Sequence, residues 1–483
     1  MYLNDFSMTS LITLILGGYF LQAIAYYKLF IKSDQQGWIG FIPFYNYYMH
    51  IQIVGRPKWW IFLLFVPVAN FFVILTIHLD LLKSFQKYTY IDQVLGVILA
   101  PFYMIYVAFG KNAYLGEATK IPKVQKGPIK EWFEAIVFAV FAATIIRWAF
   151  MEAYVIPTPS MEHSLLVGDF LFVSKLQYGP RTPKTPLQLP LTHAKVWGTD
   201  LPSYLSGIQL PQFRLPSLGR VERNDVVVFN YPPEFENPKD LRTHYIKRCV
   251  GISGDVIEVK FGQVYINQAI ANNPKFMQMR YFIETDQNVK DRIFRENNIW
   301  EYYPSFGSGN RKGYIVNTTE NSANQLRKLS FIKSVDLRLD NEDKIESRIF
   351  PNPEYYPWNG DHYGPILIPF KGMTIDINDS TLAMYGSTIM NYEEREVVDI
   401  SDEQLLIAGK PVMKYTFTKN YYFMMGDNRH NSLDSRYFGF VSEDFIVGEA
   451  SFIWLSLDDK VDLINKIRWT YQLILVGKDL ILT

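Results

Sequence analysis

Thr243-His244-Tyr245-Ile246-Lys247-Arg248-Cys249-Val250-Gly251 is the stretch that decides how this chain reads. Its branched and aromatic residues are those of a short strand, and successive side chains of a strand face opposite ways. Tyr245, Lys247 and Cys249 therefore share one face, and Ile246, Arg248 and Val250 the other. A lysine beside Tyr and Cys, opposite the arginine, is expected to be buried. Burial disfavours the ammonium, and the neutral amine that remains is a general base. Two other segments supply partners for it. Upstream, Ile156-Pro157-Thr158-Pro159-Ser160-Met161 presents a hydroxyl just beyond an apolar stretch. Two prolines stiffen the approach, and a serine becomes a nucleophile once a neighbouring base takes its proton. Downstream, Met424-Met425-Gly426-Asp427-Asn428-Arg429-His430-Asn431-Ser432-Leu433-Asp434-Ser435-Arg436 offers a turn in which Ser432 can orient the lysine and Asp434 can pair with Arg436. One serine, one buried lysine and one organising turn point to a serine–lysine hydrolase tied to a membrane.

Each element taken singly has a plainer reading. Ser160 is placed to cap a helix, Lys247 to point outward as most lysines do, and the third segment to be a well-capped polar turn. A histidine-based triad is the competing chemistry, through His163 or His430, but neither has a carboxylate at a telling spacing. A penicillin-binding serine needs a lysine three residues on; His163 stands there.

Composition narrows the field. Lys plus Arg and Asp plus Glu number 48 each, so the chain lacks the basic surplus of a nucleic-acid binder. Its one cysteine, Cys249, excludes an intramolecular disulfide and multi-cysteine zinc sites. The seven histidines show no ligand spacing, so no metal is expected. Aromatics reach 16%, a level natural at membrane interfaces.

The first 150 residues are unlike the rest. Apolar stretches run from Leu11 to Tyr27, Trp59 to Leu79, Val94 to Phe109 and Ile136 to Tyr154; all but the third approach the length of a membrane-crossing helix. The first has no basic start and no small-residue cleavage site, so it is not a cleavable signal. Lys111, Lys120, Lys123, Lys126 and Lys130 mark the loop before the fourth stretch as cytoplasmic, and Lys28, Lys32, Arg56 and Lys58 mark the loop after the first. Four crossings from an outside start then place everything after Tyr154 outside the cytoplasm. From there strand-like runs take over, interrupted by a Pro/Leu/Ser-rich stretch at about 178–219 and a longer one at 269–410, large enough for a subdomain. The expected division is a multi-spanning helical region (1–128), an anchor (129–152), a β domain in two parts (153–268 and 411–460) around the insertion, and a tail (461–483) suited to a membrane surface.

Five blocks, in order, resemble type I signal peptidase, the membrane-bound serine–lysine protease family: Ile156–Met161, Gly168–Lys175, Arg223–Phe229, Tyr245–Asp255, and Gly426–Arg429 with Ser432, Asp434, Ser435 and Arg436. The resemblance implies a mainly β catalytic domain of that type with a large inserted subdomain, preceded by an α-helical transmembrane region. It implies Ser160 as nucleophile, Lys247 as general base, and Ser432 as the hydroxyl that positions it. The oxyanion hole would combine the Ser160 N–H with the hydroxyl of Thr158, and Asp434 with Arg436 would be the supporting ion pair. Ile156, Met161, Tyr245, Ile246 and Met424 fall at positions that line the pocket for small residues or pack on the lysine. The implied substrates are preproteins bearing signal peptides, cut after small residues on the outer face of the bacterial cytoplasmic membrane. The implied partners are the lipid bilayer and the secretion translocon, with no nucleic acid and no cofactor. A catalytically inactive membrane scaffold binding exported chains is the alternative. More than two membrane stretches is a departure from the simplest family pattern.

Overall fold

The computed structural model describes residues 8–64, 69–121, 128–307, 311–393, 398–401, 404–458, 466–469 and 474–476. The chain divides into two compact units, one of residues 1–146 with 207–211, the other holding the remainder.

The second unit is built on one antiparallel sheet. Its first four strands are β1 (Met151–Val155), β2 (Asp169–Ser174), β3 (Val226–Asn230) and β4 (His244–Gly251). The spatial order is β1, β2, Ile446–Ser456, β3, β4, Tyr421–Met425 and Val441–Ser442. β3 reads Val-Val-Val-Phe-Asn without polar alternation and is buried along its whole length, the place such an unbroken run suits. Its side chains still divide by the period of two: Val226 and Val228 join a cluster with Ile156, Met161, Leu171 and Ile453. Val227 and Phe229 join a second, with Cys249, Phe423 and Met424. β4 runs beside β3 with Lys247 registered against Val227 and Arg248 against Val226. The mainly β expectation therefore holds for the second unit.

The 269–410 stretch is not the single subdomain expected. Its first part forms a separate sheet, Ser334–Leu337, Gln278–Glu284, Lys312–Thr319 and Tyr302–Phe306 in that order, over its own core of Tyr281, Ile283, Phe294 and Val316. Its second part returns to the main body: Tyr363–Leu367 pairs with Val256–Lys260, and Ile349, Ile368, Leu382 and Ile389 join the central cluster. Apolar residues spaced over a long stretch do not reveal which of two cores they enter. The 178–219 stretch is irregular, held by isolated bridges such as Arg181 with Arg214, but it is not all surface, since Tyr178 is buried and donates to Asp225 at 2.9 Å. The tail from 461 lies largely outside the described residues. Its described part returns to the sheet, where Ile474–Leu475 pairs with Ile446–Ser456.

The first unit is helical, with helices at Met8–Lys32, Tyr45–Ile53, Trp60–Leu63, Ala69–Ser84, Tyr90–Ile98 and Ala100–Phe109. Leu29, Phe30, Leu82, Phe85, Met104 and Val107 form its core. Lys32 Nζ donates to the carbonyls of Gly110 at 2.7 Å and Asn112 at 3.1 Å, a cation at the C-terminal end of the Ala100–Phe109 helix where the helix dipole favours it. The expectation of four crossings is not met: among the described residues, no helix is long and apolar enough to cross a membrane. The Trp59–Leu79 stretch holds two helices, Trp60–Leu63 and Ala69–Ser84, and Val94–Phe109 is divided between Tyr90–Ile98 and Ala100–Phe109. Pro101, at the start of the last of these, lacks the N–H that a continuous helix needs there.

Candidate active site

Ser160 lies in a single 3₁₀ turn, Pro159–Met161, directly after the extended Thr158. Proline with its fixed φ opens such a turn without losing a hydrogen bond. The turn is held from behind by a segment some 270 residues later: the Asn428 N–H donates to the Ser160 carbonyl at 3.1 Å, and Asn428 Nδ2 to that of Pro159 at 3.2 Å. Met161 is fully buried in the core, and its sulfur accepts the Asp427 N–H at 3.4 Å. The Ser160 side chain is thereby aimed at β4. Lys247 Nζ donates to Ser160 Oγ at 2.6 Å and to the Ile246 carbonyl at 2.9 Å.

Both residues are nearly closed off from solvent, Ser160 at 7% and Lys247 at 4% exposure. Burial pushes the Lys247 amine down to about 8, against the pull of Asp434 and Asp427. Its charged form also faces the Tyr245 ring, 5.4 Å from Nζ. The net result is an amine that loses its proton within reach of physiological pH while bonded to a hydroxyl. That pairing can activate the hydroxyl as a nucleophile.

The third segment is tied down by two buried ion pairs. Arg436 grips Asp434 through two hydrogen bonds of 2.9 and 2.8 Å, and Asp434 also accepts the Gly426 N–H at 3.1 Å. Arg248 grips Asp427 at 2.8 and 2.6 Å, and Ser164 Oγ adds a third bond at 2.6 Å. Arg248, on the face of the strand opposite the lysine, is buried as well, at 4% exposure, with Asp427 supplying its counter-charge. Gly426 is where the turn and the nucleophile segment nearly touch. A Cβ there would lie 2.2 Å from Ser432 Oγ and 2.6 Å from the Ser160 carbonyl oxygen, so only glycine fits.

The other expected site residues divide into those the fold gathers and those it leaves apart. Ile156 is buried and Ile246 half-buried in the cluster that also holds Met161. Met424 is fully buried, its N–H donating to Ser435 Oγ at 2.9 Å, and Tyr245 packs against the same central cluster. Ser432 Oγ is buried next to Gly426 without a hydrogen bond of good geometry, and its hydroxyl helps hold the Asp434 charge. The expected bond from Ser432 to the lysine is not made. Thr158 is exposed, with φ −131° and ψ 151°, and makes no capping bond.

The histidine alternatives are engaged with other groups. His163 Nε2 bonds the Asn298 carbonyl at 2.7 Å. His430 does have a carboxylate, Asp361 at 2.9 Å, which its distance in sequence hid. Its other nitrogen, however, accepts the Arg280 N–H at 3.2 Å. Asp427 and Asn428 were legible only as members of a motif; the unmatched count of three arginines (Arg248, Arg429, Arg436) to two aspartates (Asp427, Asp434) in β4 and the turn was the available signal.

A serine hydroxyl hydrogen-bonded to a buried lysine amine is an arrangement open to hydrolases that work through their own side chains. The chain belongs to the signal peptidase family, peptidase S26, whose model matches residues 129–301 and 367–455, over half of its length. It is similar to signal peptidase I of Buchnera aphidicola subsp. Schizaphis graminum, 28% identical over 320 residues that span 66% of this chain and 73% of the relative. It is likewise similar to signal peptidase I of Helicobacter pylori strain J99, 26% identical over 69% of this chain and 83% of the relative, and to that of Aquifex aeolicus, 26% over 66% and 80%. Residues 38–117 match a further family, of unknown function.

Proposed function

We propose that this protein is a signal peptidase that removes signal peptides from exported preproteins, with Ser160 as nucleophile and Lys247 as general base. The observation that carries the reading is the 2.6 Å bond between Lys247 Nζ and Ser160 Oγ inside a desolvated pocket. In the proposed sequence, neutral Lys247 accepts the Ser160 proton as Oγ attacks the peptide carbonyl. The oxyanion forms against the Ser160 N–H and the Thr158 hydroxyl. Lys247, now charged, gives its proton to the leaving amine, and water hydrolyses the ester with Lys247 again as base. The apolar walls supplied by Ile156 and Ile246 leave room for small side chains. Ser432, through Asp434 and Arg436, keeps the turn beside the lysine in place.

The test is the pH profile of preprotein cleavage by the purified protein. A base must be unprotonated to act, so kcat/KM should rise with pH and level off above about 8, the value to which burial lowers Lys247. A profile that rises instead near the ordinary histidine range would remove Lys247 as base. Thr158→Val keeps the shape of the side chain and deletes its donor. On the proposed reading it lowers kcat by about 10²-fold with KM little changed; unaltered kcat would take Thr158 out of the oxyanion hole.

We also propose that the helical unit and the Pro128–Ala149 helix hold the enzyme at the bacterial cytoplasmic membrane, with the catalytic unit outside and preproteins arriving from the translocon. In support, the helices expose Phe20, Phe62, Phe102 and Phe109, more apolar surface than water favours. Phe170 and Trp454, with ring centroids 5.7 Å apart, add an aromatic strip on the sheet. Full-length protein in membranes should remain in the pellet through an alkaline carbonate wash. Release into the supernatant would reject embedding.

A further inference from the structure

Next to the turn that supports the dyad lies a cavity of about 340 Å³, lined by residues that the cleavage chemistry does not use. β4 contributes Arg248 and Val250, the residues that alternate with Lys247 along the strand. Val264, Ile266 and Ala271 make an apolar wall, and Arg429 of the third segment closes one end. The volume is within the range of small-molecule sites, which are mostly apolar with a few fixed polar groups.

The arginines around it differ in how they are matched. Arg248 is bound by Asp427. Arg223, at the rim, is bound by Asp255 at 2.8 and 2.5 Å. Arg429 is 4% exposed, yet its Nε and Nη1 are buried without any hydrogen-bond partner. Two donors of a guanidinium left unsatisfied in the interior are costly. Burial and the neighbouring Arg436 push this guanidinium down to about 10, although Asp427 and Asp434 are near enough to pull the other way. The backbone explains why Arg429 is held there. Its N–H donates to the Gln278 carbonyl at 3.0 Å and its carbonyl accepts from Arg436, which fixes the main chain from which the side chain projects.

We propose that this cavity binds a carboxylate carried on a short apolar stem, with the carboxylate on Arg429 and the stem against Val264, Ile266 and Ala271. A carboxylate supplies in-plane acceptors of the geometry that a guanidinium fork requires, and the apolar wall favours an organic acid over a bare inorganic ion. Two sources share this chemistry: a free short-chain fatty acid, and the C-terminal carboxylate of a peptide ending in an aliphatic residue.

Binding to the full-length protein in detergent separates them. The probes are sodium hexanoate, inorganic phosphate, and a pair of pentapeptides ending in leucine as the acid or the amide, read by calorimetry and by Tm. The expected result is saturable binding of hexanoate or of the acid peptide, tighter than phosphate, with the amide peptide inert; whichever probe binds identifies the source. Arg429→Gln should weaken binding tenfold or more, as loss of a charge-assisted hydrogen bond does. Ala271→Leu, which leaves Arg429 in place and fills the stem site, should abolish it, and stands as the test if Arg429→Gln does not fold. Absence of saturable binding by both acids overturns the proposal, as does binding unchanged in Ala271→Leu. Phosphate binding as tightly as the acids would overturn the apolar-stem assignment.

Discussion

Ser160→Ala and Lys247→Ala are each expected to remove preprotein cleavage, and the double variant is expected to be no worse than either alone. Removal of a general base costs roughly 10²- to 10⁴-fold, and loss of the nucleophile leaves only what binding and the oxyanion donors provide. The decisive feature is the double variant. Groups that act as one unit are strongly non-additive, and the Lys247 Nζ to Ser160 Oγ bond makes these two such a unit. Multiplicative losses would mean that the residues work in separate steps and would break the assigned mechanism. Lys247→Arg belongs in the same series. A guanidinium stays protonated, so the variant keeps a positive charge in the site but supplies no base, and it should be as inactive as Lys247→Ala. All variants need an unchanged unfolding midpoint for the comparison to report on chemistry.

The second large effect is on stability. Asp427→Ala should destabilise the catalytic unit by about 3–5 kcal/mol, because it leaves the Arg248 guanidinium buried with its carboxylate gone. Ser164 Oγ and the Arg248 Nε and Nη2 donors would lose their acceptor together. The effect carries a pH signature. Against the cost of its burial, the Arg248 guanidinium holds the Asp427 carboxyl below the usual range. A carboxyl with a depressed native pKa adds stability that is fully present above its unfolded value, near 4, and is lost as pH falls through the native value. The difference between wild type and Asp427→Ala should therefore be constant near neutrality and shrink in acid. Asp200→Ala, at the exposed Lys195–Asp200 pair, is the control and should leave the denaturation midpoint unmoved. A midpoint equally unmoved in Asp427→Ala would show that the buried pair contributes nothing net.

What the sequence disclosed followed the range over which its signals act. The alternation in β4 is local, and it separated Lys247 from Arg248 correctly as neighbours on opposite faces. Which face meets water is not local. Arg248 is buried too, and its counter-ion lies 179 residues away, beyond any spacing rule. The same distance effect hid Asp361 from His430, and hid the return of 349–410 to the main core. The five motif blocks were legible because each is short, and their order served in place of tertiary information. Apolar length was the weakest guide. Trp59–Leu79 has the hydropathy of one long helix, while its described residues fall in the helices Trp60–Leu63 and Ala69–Ser84.

The sheet order has a temporal consequence. β1 and β2, which flank the nucleophile segment, are separated from β3 and β4 by the strand Ile446–Ser456, and the far side of β4 is covered by Tyr421–Met425. Ser160 and Lys247 emerge from the ribosome within 87 residues of each other, but neither the sheet between them nor the turn behind them exists until some two hundred residues more have been made. A nascent chain that ends before Ile446 thus lacks the assembled site. A chain stalled before Ile446 should have no activity, and release of the full chain should switch it on in one step, a latency that needs no propeptide.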